Sequence, residues 1–195
     1  MKLDKYFIYN IFSDIPTLET PHLLLRRMNV TDAADMFDYA RQDQVTRYLT
    51  WESHKSLDHT KQYLRYVQRQ YADGDLYDWS VVERESGRMV GTCGFTSFDY
   101  DNSCGEIGYV INPSRAGRGY ATEAVQRVMA FGFSRLGLHR IKALFMEGNE
   151  ASRRVMEKCG MRCEGTFVRA FRIKNEYRTV TEYAILREEF GRNGK

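Results

Sequence analysis

Residues 105–125 read G-E-I-G-Y-V-I-N-P-S-R-A-G-R-G-Y-A-T-E-A-V. In the segment Gly105 to Ile111 the residue types alternate with a period of two, as in a β-strand. From Gly119 to about Leu136 the apolar residues recur at helical spacing, which is the clearest helical signal in the chain. A loop that contains Gly117 and Gly119 therefore joins a strand directly to a long helix.

This junction predicts an anion site. The first turn of a helix has backbone N–H groups without intrahelical partners, and the helix dipole adds to their attraction for phosphate oxygens. Gly117 and Gly119 have no Cβ, so a ligand can approach the main chain closely. The alternative is that the glycines only form a tight turn. The P-loop pattern G-x-x-x-x-G-K-[ST] is absent, and G-R-G-Y-A-T lacks the third glycine of G-x-G-x-x-G.

The rest of the chain predicts an α+β domain around one mixed sheet. Strand, long helix and strand form a crossover, so the strands on either side of the long helix should be parallel. A C-terminal hairpin should turn around Lys174-Asn175. The predicted strands are Leu23–Arg27, Tyr77–Glu83, Met89–Phe98, Ile141–Met146, Cys163–Phe171 and Tyr177–Leu186, and the other helices run from Thr31 or Asp32 to Arg41, from Leu57 to Tyr71 after a Ser56 cap, and from Glu150 to Gly160.

Composition limits the class of protein. The 195 residues are 43% hydrophobic with a net charge of +3, which suits one folded domain and not a general nucleic-acid binder. No apolar run approaches the roughly 18 residues of a membrane helix, and the N-terminus does not read as a signal peptide, so we expect a cytoplasmic location. The four cysteines should be thiols; Cys159 and Cys163 have no second ligand pair, and we expect no metal.

Two blocks of sequence carry a family resemblance: C-G-E-I-G-Y-V-I-N-P-S-R-A-G-R-G-Y-A-T-E-A-V and N-E-A-S-R-R-V-M-E-K-C-G-M. They resemble the acetyl-CoA-binding core of the GCN5-related N-acetyltransferases (GNAT), particularly the RimJ/RimL-like branch that acetylates ribosomal-protein N-termini. The segments L-E-T-P-H-L-L-L-R-R and V-T-R-Y-L-T-W extend the likeness over most of Thr17 to Leu186.

The resemblance implies an acyl-CoA N-acyltransferase fold, with a single mixed, mostly antiparallel sheet and flanking helices. It implies one domain over residues 1–195, with residues 1–16 as an N-terminal extension. The activity would be transfer of the acetyl group of acetyl-CoA to a primary amine, such as a protein N-terminal amine. Alternatives are a small-molecule amine (a polyamine, an antibiotic or an amino acid) as acceptor, or a non-catalytic coenzyme A-binding protein.

By the same resemblance, Tyr109 to Ile111 pair with the pantetheine arm of the cosubstrate, and the amides of Gly117 to Ala121 hold its pyrophosphate. Ala116 departs from the Gln or Arg that the family has at its place. Arg115 and Arg118 stand close enough to supply charge to the phosphates. The full predicted cofactor-binding set is Tyr109, Val110, Ile111, Arg115, Ala116, Gly117, Arg118, Gly119, Tyr120, Ala121, Thr122, Asn149 and Arg153.

An amine attacks a thioester only when it is neutral, so a proton acceptor is needed. Glu106 is the candidate base: alternation puts it on one strand face with Gly108, whose small size leaves room for a substrate. The matching glutamate has this role in the family branch. The alternative is an ordinary solvent-facing charge.

The resemblance gives Asn149 a hydrogen bond to pantetheine and Ser152 the role of proton donor to the leaving sulfur. Both also fit the first turn of a helix for purely structural reasons. Tyr109 and Tyr183 are alternative acids. Arg153, Arg154 and Lys158 form a basic helix face that either reaches the 3′-phosphate or is simply solvated. The four histidines receive no role.

The acceptor should bind between the helical region from Arg41 to Tyr71 and the hairpin near Phe171 to Tyr177. Tyr48 and Trp51 either line that pocket or pack between helices. A homodimer formed through Lys2 to Ser13 is conceivable, and no membrane or direct nucleic-acid partner is expected. The basic residues of the hairpin lean toward an acidic or ribosomal partner: Arg169, Arg172, Lys174 and Arg178.

Overall fold

A computed structural model describes residues 3–191, which form one α+β domain around a single eight-stranded mixed sheet. The strand order is β1-β2-β3-β4-β5-β6-β8-β7, with every pairing antiparallel except β5 with β6. The predicted fold class is confirmed. The strands are β1 (Leu18–Glu19), β2 (Leu23–Arg26), β3 (Tyr77–Glu83), β4 (Met89–Asp99), β5 (Cys104–Ile111), β6 (Arg140–Met146), β7 (Arg162–Ile173) and β8 (Glu176–Leu186).

Seven α-helices flank the sheet within the described residues, together with 3₁₀ turns at Val30–Asp32 and Pro113–Arg115. The predicted Ser56 cap is present, because the Ser56 hydroxyl accepts a hydrogen bond from the His59 amide at 3.1 Å. None of these helices combines the length and the apolar character that crossing a membrane requires. The helices are α1 (Lys5–Phe12), α2 (Ala33–Ala40), α3 (Asp43–Thr46), α4 (Leu57–Ala72), α5 (Tyr120–Ser134), α6 (Glu150–Lys158) and α7 (Arg187–Phe190).

The two faces of the sheet have different partners. Trp79 of β3 packs edge-on against Phe131 of α5, and Phe95 of β4 lies against Gly132 of the same helix. Alternation sends the intervening residues, including Asp78 and Ser80, to the opposite face, which α2 and α4 cover. The hydrophobic core therefore has two layers, one on each side of the central strands.

Helix α1 is the main element that sequence patterns did not predict. Its residue Phe12 is fully buried and meets the rings of Trp79 and Phe131 at centroid distances of 5.5 and 6.2 Å. The N-terminal extension, which the family resemblance did not cover, thus contributes Leu3, Ile8, Phe12 and Ile15 to the core. Its buried apolar residues are not free to pack on a second subunit, while Met1 and Lys2 lie outside the described residues.

Asp78 carries a buried carboxylate whose Oδ1 has no hydrogen-bond partner within residues 3–191. Burial raises the pKa of Asp78 to about 7, against smaller opposing effects of the Thr92 hydroxyl and the Trp79 amide. Between an unfolded pKa near 3.9 and the folded value, the unfolded chain loses this proton while the folded chain keeps it. Stability should therefore fall as the pH rises from about 4 to about 7.

We expect Asp78→Asn to be more stable than the unmodified chain at pH 8, by a few kcal/mol, about 5 °C or more in melting temperature. The difference should nearly disappear near pH 4, where Asp78 is neutral in the folded protein and about half ionised in the unfolded chain. Thermal unfolding at pH 4, 6 and 8 measures it, with the exposed Asp101→Asn as the control. A difference that stays the same at every pH would contradict this account of Asp78.

Candidate active site

The sheet opens where β5 and β6 separate. These parallel strands pair only through Cys104–Arg140, Gly105–Ile141 and Glu106–Lys142. Beyond Glu106, the β6-facing edge of β5 has no strand partner in residues 3–191, although its other edge pairs with β4 up to Ile111. Unpaired strand edges present backbone N–H and C=O groups to a ligand. The gap therefore suits an extended molecule that bears amides, as the prediction for Tyr109 to Ile111 requires.

The loop between β5 and α5 presents a row of free backbone donors. Within the described chain, no N–H from Gly117 to Thr122 donates to a protein acceptor, and the first helical bond is from the Glu123 amide to the Gly119 carbonyl at 3.0 Å. Gly117 and Gly119 have φ values of +80° and +81°, and a Cβ on either would meet no atom of the described residues within 4 Å. The amides thus border open space at a helix N-terminus, which fits the diphosphate of acetyl-CoA.

Glu83 at the end of β3 anchors this loop, and sequence patterns gave no signal for it. Its side chain is only 3% exposed and accepts hydrogen bonds from the Tyr120 hydroxyl at 2.8 Å and from Arg118 at 3.1 Å. The Ser86 hydroxyl donates to it at 2.6 Å and, with Tyr120 and the two arginines of the loop, lowers the pKa of Glu83. A buried ionised carboxylate held by several donors fixes the start of α5.

A cavity of about 540 Å³ lies between this loop, the end of β5 and α6. Of the predicted cofactor-binding residues, all line it except Arg118 and Arg153. Arg118 turns toward Glu83, and Arg153 pairs on its own helix with Glu150 at 2.7 Å. The structure therefore does not bring these two side chains to the cavity. The basic side chains that do line it are Arg115, Arg154 and Lys158, which are suited to phosphate groups.

Tyr109 links β5 to the first turn of α6. Its hydroxyl lies 2.8 Å from the Ser152 hydroxyl and 3.0 Å from the Ser152 carbonyl oxygen, and burial raises its pKa. Asn149 is the N-cap of α6, and its side-chain oxygen accepts from the Ser152 amide at 3.3 Å. The structural reading of Asn149 is thus correct, and its amide NH₂ group can still act as a donor at the cavity wall.

Since the hydroxyls of Tyr109 and Ser152 bond to each other, they should act as one unit at the leaving sulfur. We expect Tyr109→Phe and Ser152→Ala each to lower kcat by about tenfold or more, because each removes one member of a shared donor chain. The double variant should be no slower than the slower single variant. Steady-state thiol release measures this, and multiplying effects would show that the two hydroxyls act separately.

Glu106 lies at the point where the two strands separate, on the opposite sheet face from Tyr109. The Thr96 hydroxyl donates to its Oε1 at 3.0 Å, and Lys142 Nζ is 3.6 Å from its Oε2. The side chain is 23% exposed, so water can reach it. Glu106 does not line the cavity itself, and its role as the base stays a prediction.

Gly108 does not leave the open space that its sequence position suggested. A Cβ there would come within 2.7 Å of the Thr96 methyl group, which occupies that space. The glycine allows Thr96 to lean toward β5, where its hydroxyl also bonds Glu106. Gly108 therefore helps to position the Glu106 carboxylate, because it makes room for Thr96.

The segment after α3 and the C-terminal hairpin, where the sequence predicts that the acceptor binds, border a second cavity. Tyr48 lines the first cavity and also a second one of about 450 Å³, which the β7–β8 hairpin borders. Trp51 instead packs against His54, with ring centroids 5.4 Å apart. The sequence did not decide whether Tyr48 and Trp51 line a pocket or pack; in the structure Tyr48 lines both cavities and Trp51 packs.

Within residues 3–191, no three His, Cys, Asp or Glu side chains are grouped so that they could hold a metal ion.

Comparison with known proteins gives one consistent family. A family model described as "Acetyltransferase (GNAT) domain" matches residues 22–162. The uncharacterized N-acetyltransferase YoaA of Bacillus subtilis is 35% identical over 77% of this chain and 85% of its own length. A GNAT-family acetyltransferase from Bacillus anthracis has a similar crystal structure, with a TM-score of 0.79 and 30% identity over 89% of this chain and all of that chain.

Relatives whose names state an acceptor fall into two classes. Spermidine N(1)-acetyltransferase of Escherichia coli is 25% identical over 60% of this chain and 67% of its own length. RimL, a ribosomal L7/L12 alpha-N-protein acetyltransferase solved with coenzyme A, has a TM-score of 0.74 at 19% identity, over 88% of this chain and 98% of that chain. The latter likeness shows the fold alone.

Proposed function

The chain belongs to the GNAT acetyltransferase family, and from that premise we propose that it acetylates the N-terminal amine of a polypeptide. It is an acetyl-CoA-dependent N-acetyltransferase. The observation that carries the choice of acceptor is the second cavity, which shares Tyr48 with the first and offers about 450 Å³ for residues that follow the amine. A small amine would not need this space.

The charge of that cavity supports the same choice. Within residues 3–191, its lining includes Arg47, Arg169 and Arg178 and a single carboxylate, Glu147. A polyamine carries several positive charges at neutral pH, and an arginine-rich wall repels it. A polypeptide has one charged amine at its N-terminus and a chain of variable charge behind it. The lining therefore favours a polypeptide over spermidine-like acceptors.

The residues at the opening of the sheet have separate tasks in the reaction. Acetyl-CoA supplies an acetyl thioester, which a neutral amine can attack. Glu106, held by Thr96 and Lys142, accepts the proton of the incoming amine directly or through water. The free amides from Gly117 to Thr122 hold the diphosphate. The paired hydroxyls of Tyr109 and Ser152 donate a hydrogen bond to the departing thiolate.

An N-terminal amine is an acceptor that a single carboxylate base can deprotonate. Its pKa of about 7.7 to 8.0 leaves roughly a tenth of it neutral at pH 7, whereas a lysine side chain near 10.4 is almost entirely protonated. Deprotonation by Glu106 is therefore easier for an N-terminal amine than for a lysine side chain. A small-molecule amine is the second candidate, since a relative with that acceptor shares a quarter of the aligned residues.

The test is an acceptor panel with purified protein and acetyl-CoA, in which free thiol release is followed. The panel contains peptides with free α-amines, the same peptides with blocked α-amines and an internal lysine, polyamines, amino acids and aminoglycosides. We expect turnover of free α-amine peptides and none of the blocked ones. Turnover of polyamines or other small amines alone would reject the proposal. Tight acetyl-CoA binding without any turnover would favour a non-catalytic binding protein.

A further inference from the structure

The second cavity has a composition that points to a particular acceptor chemistry. It lies between the segment after α3, the end of β6 and the middle of the β7–β8 hairpin. Arg47 and Arg169 line it, and neither guanidinium has a carboxylate oxygen within 4 Å in the part of the chain that the structure describes. Arg178 also lines it and pairs with Glu176 at 2.6 Å. Two guanidinium groups that line the cavity therefore have no carboxylate partner among residues 3–191.

The backbone fixes the place of Arg169. The β7–β8 register shifts between Phe167 and Phe171, which marks a bulge, and Arg169 within it has φ +48°. Residues other than glycine seldom adopt this left-handed conformation, because the Cβ atom crowds the backbone. The Arg169 amide donates to the Thr179 hydroxyl at 3.2 Å, and this bond holds the bulge. Bulges commonly redirect a side chain, and here the redirected residue lines the cavity.

The tip of the hairpin is fastened to the opposite wall. Lys174 Nζ donates to the Thr46 carbonyl oxygen of α3 at 2.7 Å and lies 3.8 Å from a Glu52 carboxylate oxygen. Arg47 and Tyr48 follow directly after Thr46. Arg47 also stacks over the Tyr48 ring, with its guanidinium carbon 5.4 Å from the ring centroid. The two walls that carry Arg47 and Arg169 are thus joined across the cavity.

We propose that this cavity binds an acidic side chain located at the second to fourth position of the acceptor polypeptide, with Arg47 and Arg169 as its recognition residues. The proposal rests on the proposed function and adds a sequence preference to it. An extended chain advances about 3.3 to 3.6 Å per residue, so these positions lie about 3 to 11 Å beyond the N-terminal residue, past Tyr48. Guanidinium groups bind carboxylates with paired, charge-assisted hydrogen bonds, which are among the stronger polar contacts.

The first measurement compares matched peptides that differ only at positions two to four, with Asp or Glu, Asn or Gln, or Lys at those places. We expect kcat/KM for the acidic peptides to exceed that for the amide peptides by about tenfold, and that for the lysine peptides by more. Free aspartate and glutamate are included, because they offer the same carboxylate without a chain. Turnover of these amino acids in preference to acidic peptides would overturn the proposal.

The second measurement reverses the charge of the site. Arg47→Glu and Arg169→Glu should each remove the acidic preference and raise the turnover of lysine peptides. Arg135→Glu is the control, because Arg135 is exposed after the last residue of α5, lines neither cavity and should keep the preference. Unchanged acetyl-CoA affinity shows that each variant is folded.

The outcomes separate this inference from the function on which it rests. If free α-amine peptides are acetylated equally whatever their charge, the acidic preference is wrong while polypeptide acetylation stands. If no peptide is acetylated, both fail. If all three reversed arginines change the preference equally, the general charge of the surface and not this cavity is responsible, and the inference is rejected.

Discussion

Replacing Glu106 with Gln should lower kcat/KM by about 10²-fold or more at pH 7, with acetyl-CoA affinity unchanged. General-base removal commonly has an effect of this size, and Gln keeps the shape of the side chain and can still bond Thr96. The deficit should shrink as the pH approaches 9, because an N-terminal amine then loses its proton to solvent. The measurement is the pH profile of thiol release together with acetyl-CoA titration.

Glu164→Gln is the control for the loss of a strand carboxylate. Glu164 on β7 pairs with Arg140 at 2.6 Å and lies outside the proposed machinery, so we expect less than about a twofold effect. Activity of Glu106→Gln within threefold of the unmodified enzyme across the pH range would show that Glu106 is not the base. The position of the carboxylate at the strand separation would then be structural only.

Replacing Gly119 with Leu should weaken acetyl-CoA binding by about 10²-fold or more. At φ +81° the leucine backbone is strained by about 1 to 2 kcal/mol, and its side chain enters the open space that borders the free amides. A Cβ there meets no atom of residues 3–191 within 4 Å, so the added side chain begins in open space, where we expect its steric conflict to be with the bound diphosphate. Calorimetric titration with acetyl-CoA measures the loss.

Gly137→Leu separates backbone strain from loss of the binding site. Gly137 has φ +71° at the far end of α5, where an added Cβ makes only an ordinary contact at 3.7 Å with Arg187. It should destabilise the fold by a similar amount while leaving acetyl-CoA affinity within about threefold. Equal loss of affinity in both variants would mean that helix α5, and not the amides at its start, controls binding.

The predicted strand, loop and helix from β5 into α5 are present, and so is the parallel crossover to β6. These features depend on local periodicity and on the missing Cβ of two glycines, which a sequence displays directly. Short elements were missed for the opposite reason. Helices α1 and α3 have little local preference, and α1 forms because Ile8 and Phe12 bury against the sheet.

The same division holds in the site. The backbone amides that begin α5 can be identified from the residues alone, because hydrogen bonding within a helix always leaves its first donors free. The charged side chains that reach the cavity cannot be identified in this way, because their direction depends on partners from distant parts of the chain. Arg118 and Arg153 turn to Glu83 and Glu150, whereas Arg154 and Lys158 line the cavity. A long side chain follows the strongest nearby partner, and Glu83 is brought to the loop by a strand 35 residues earlier.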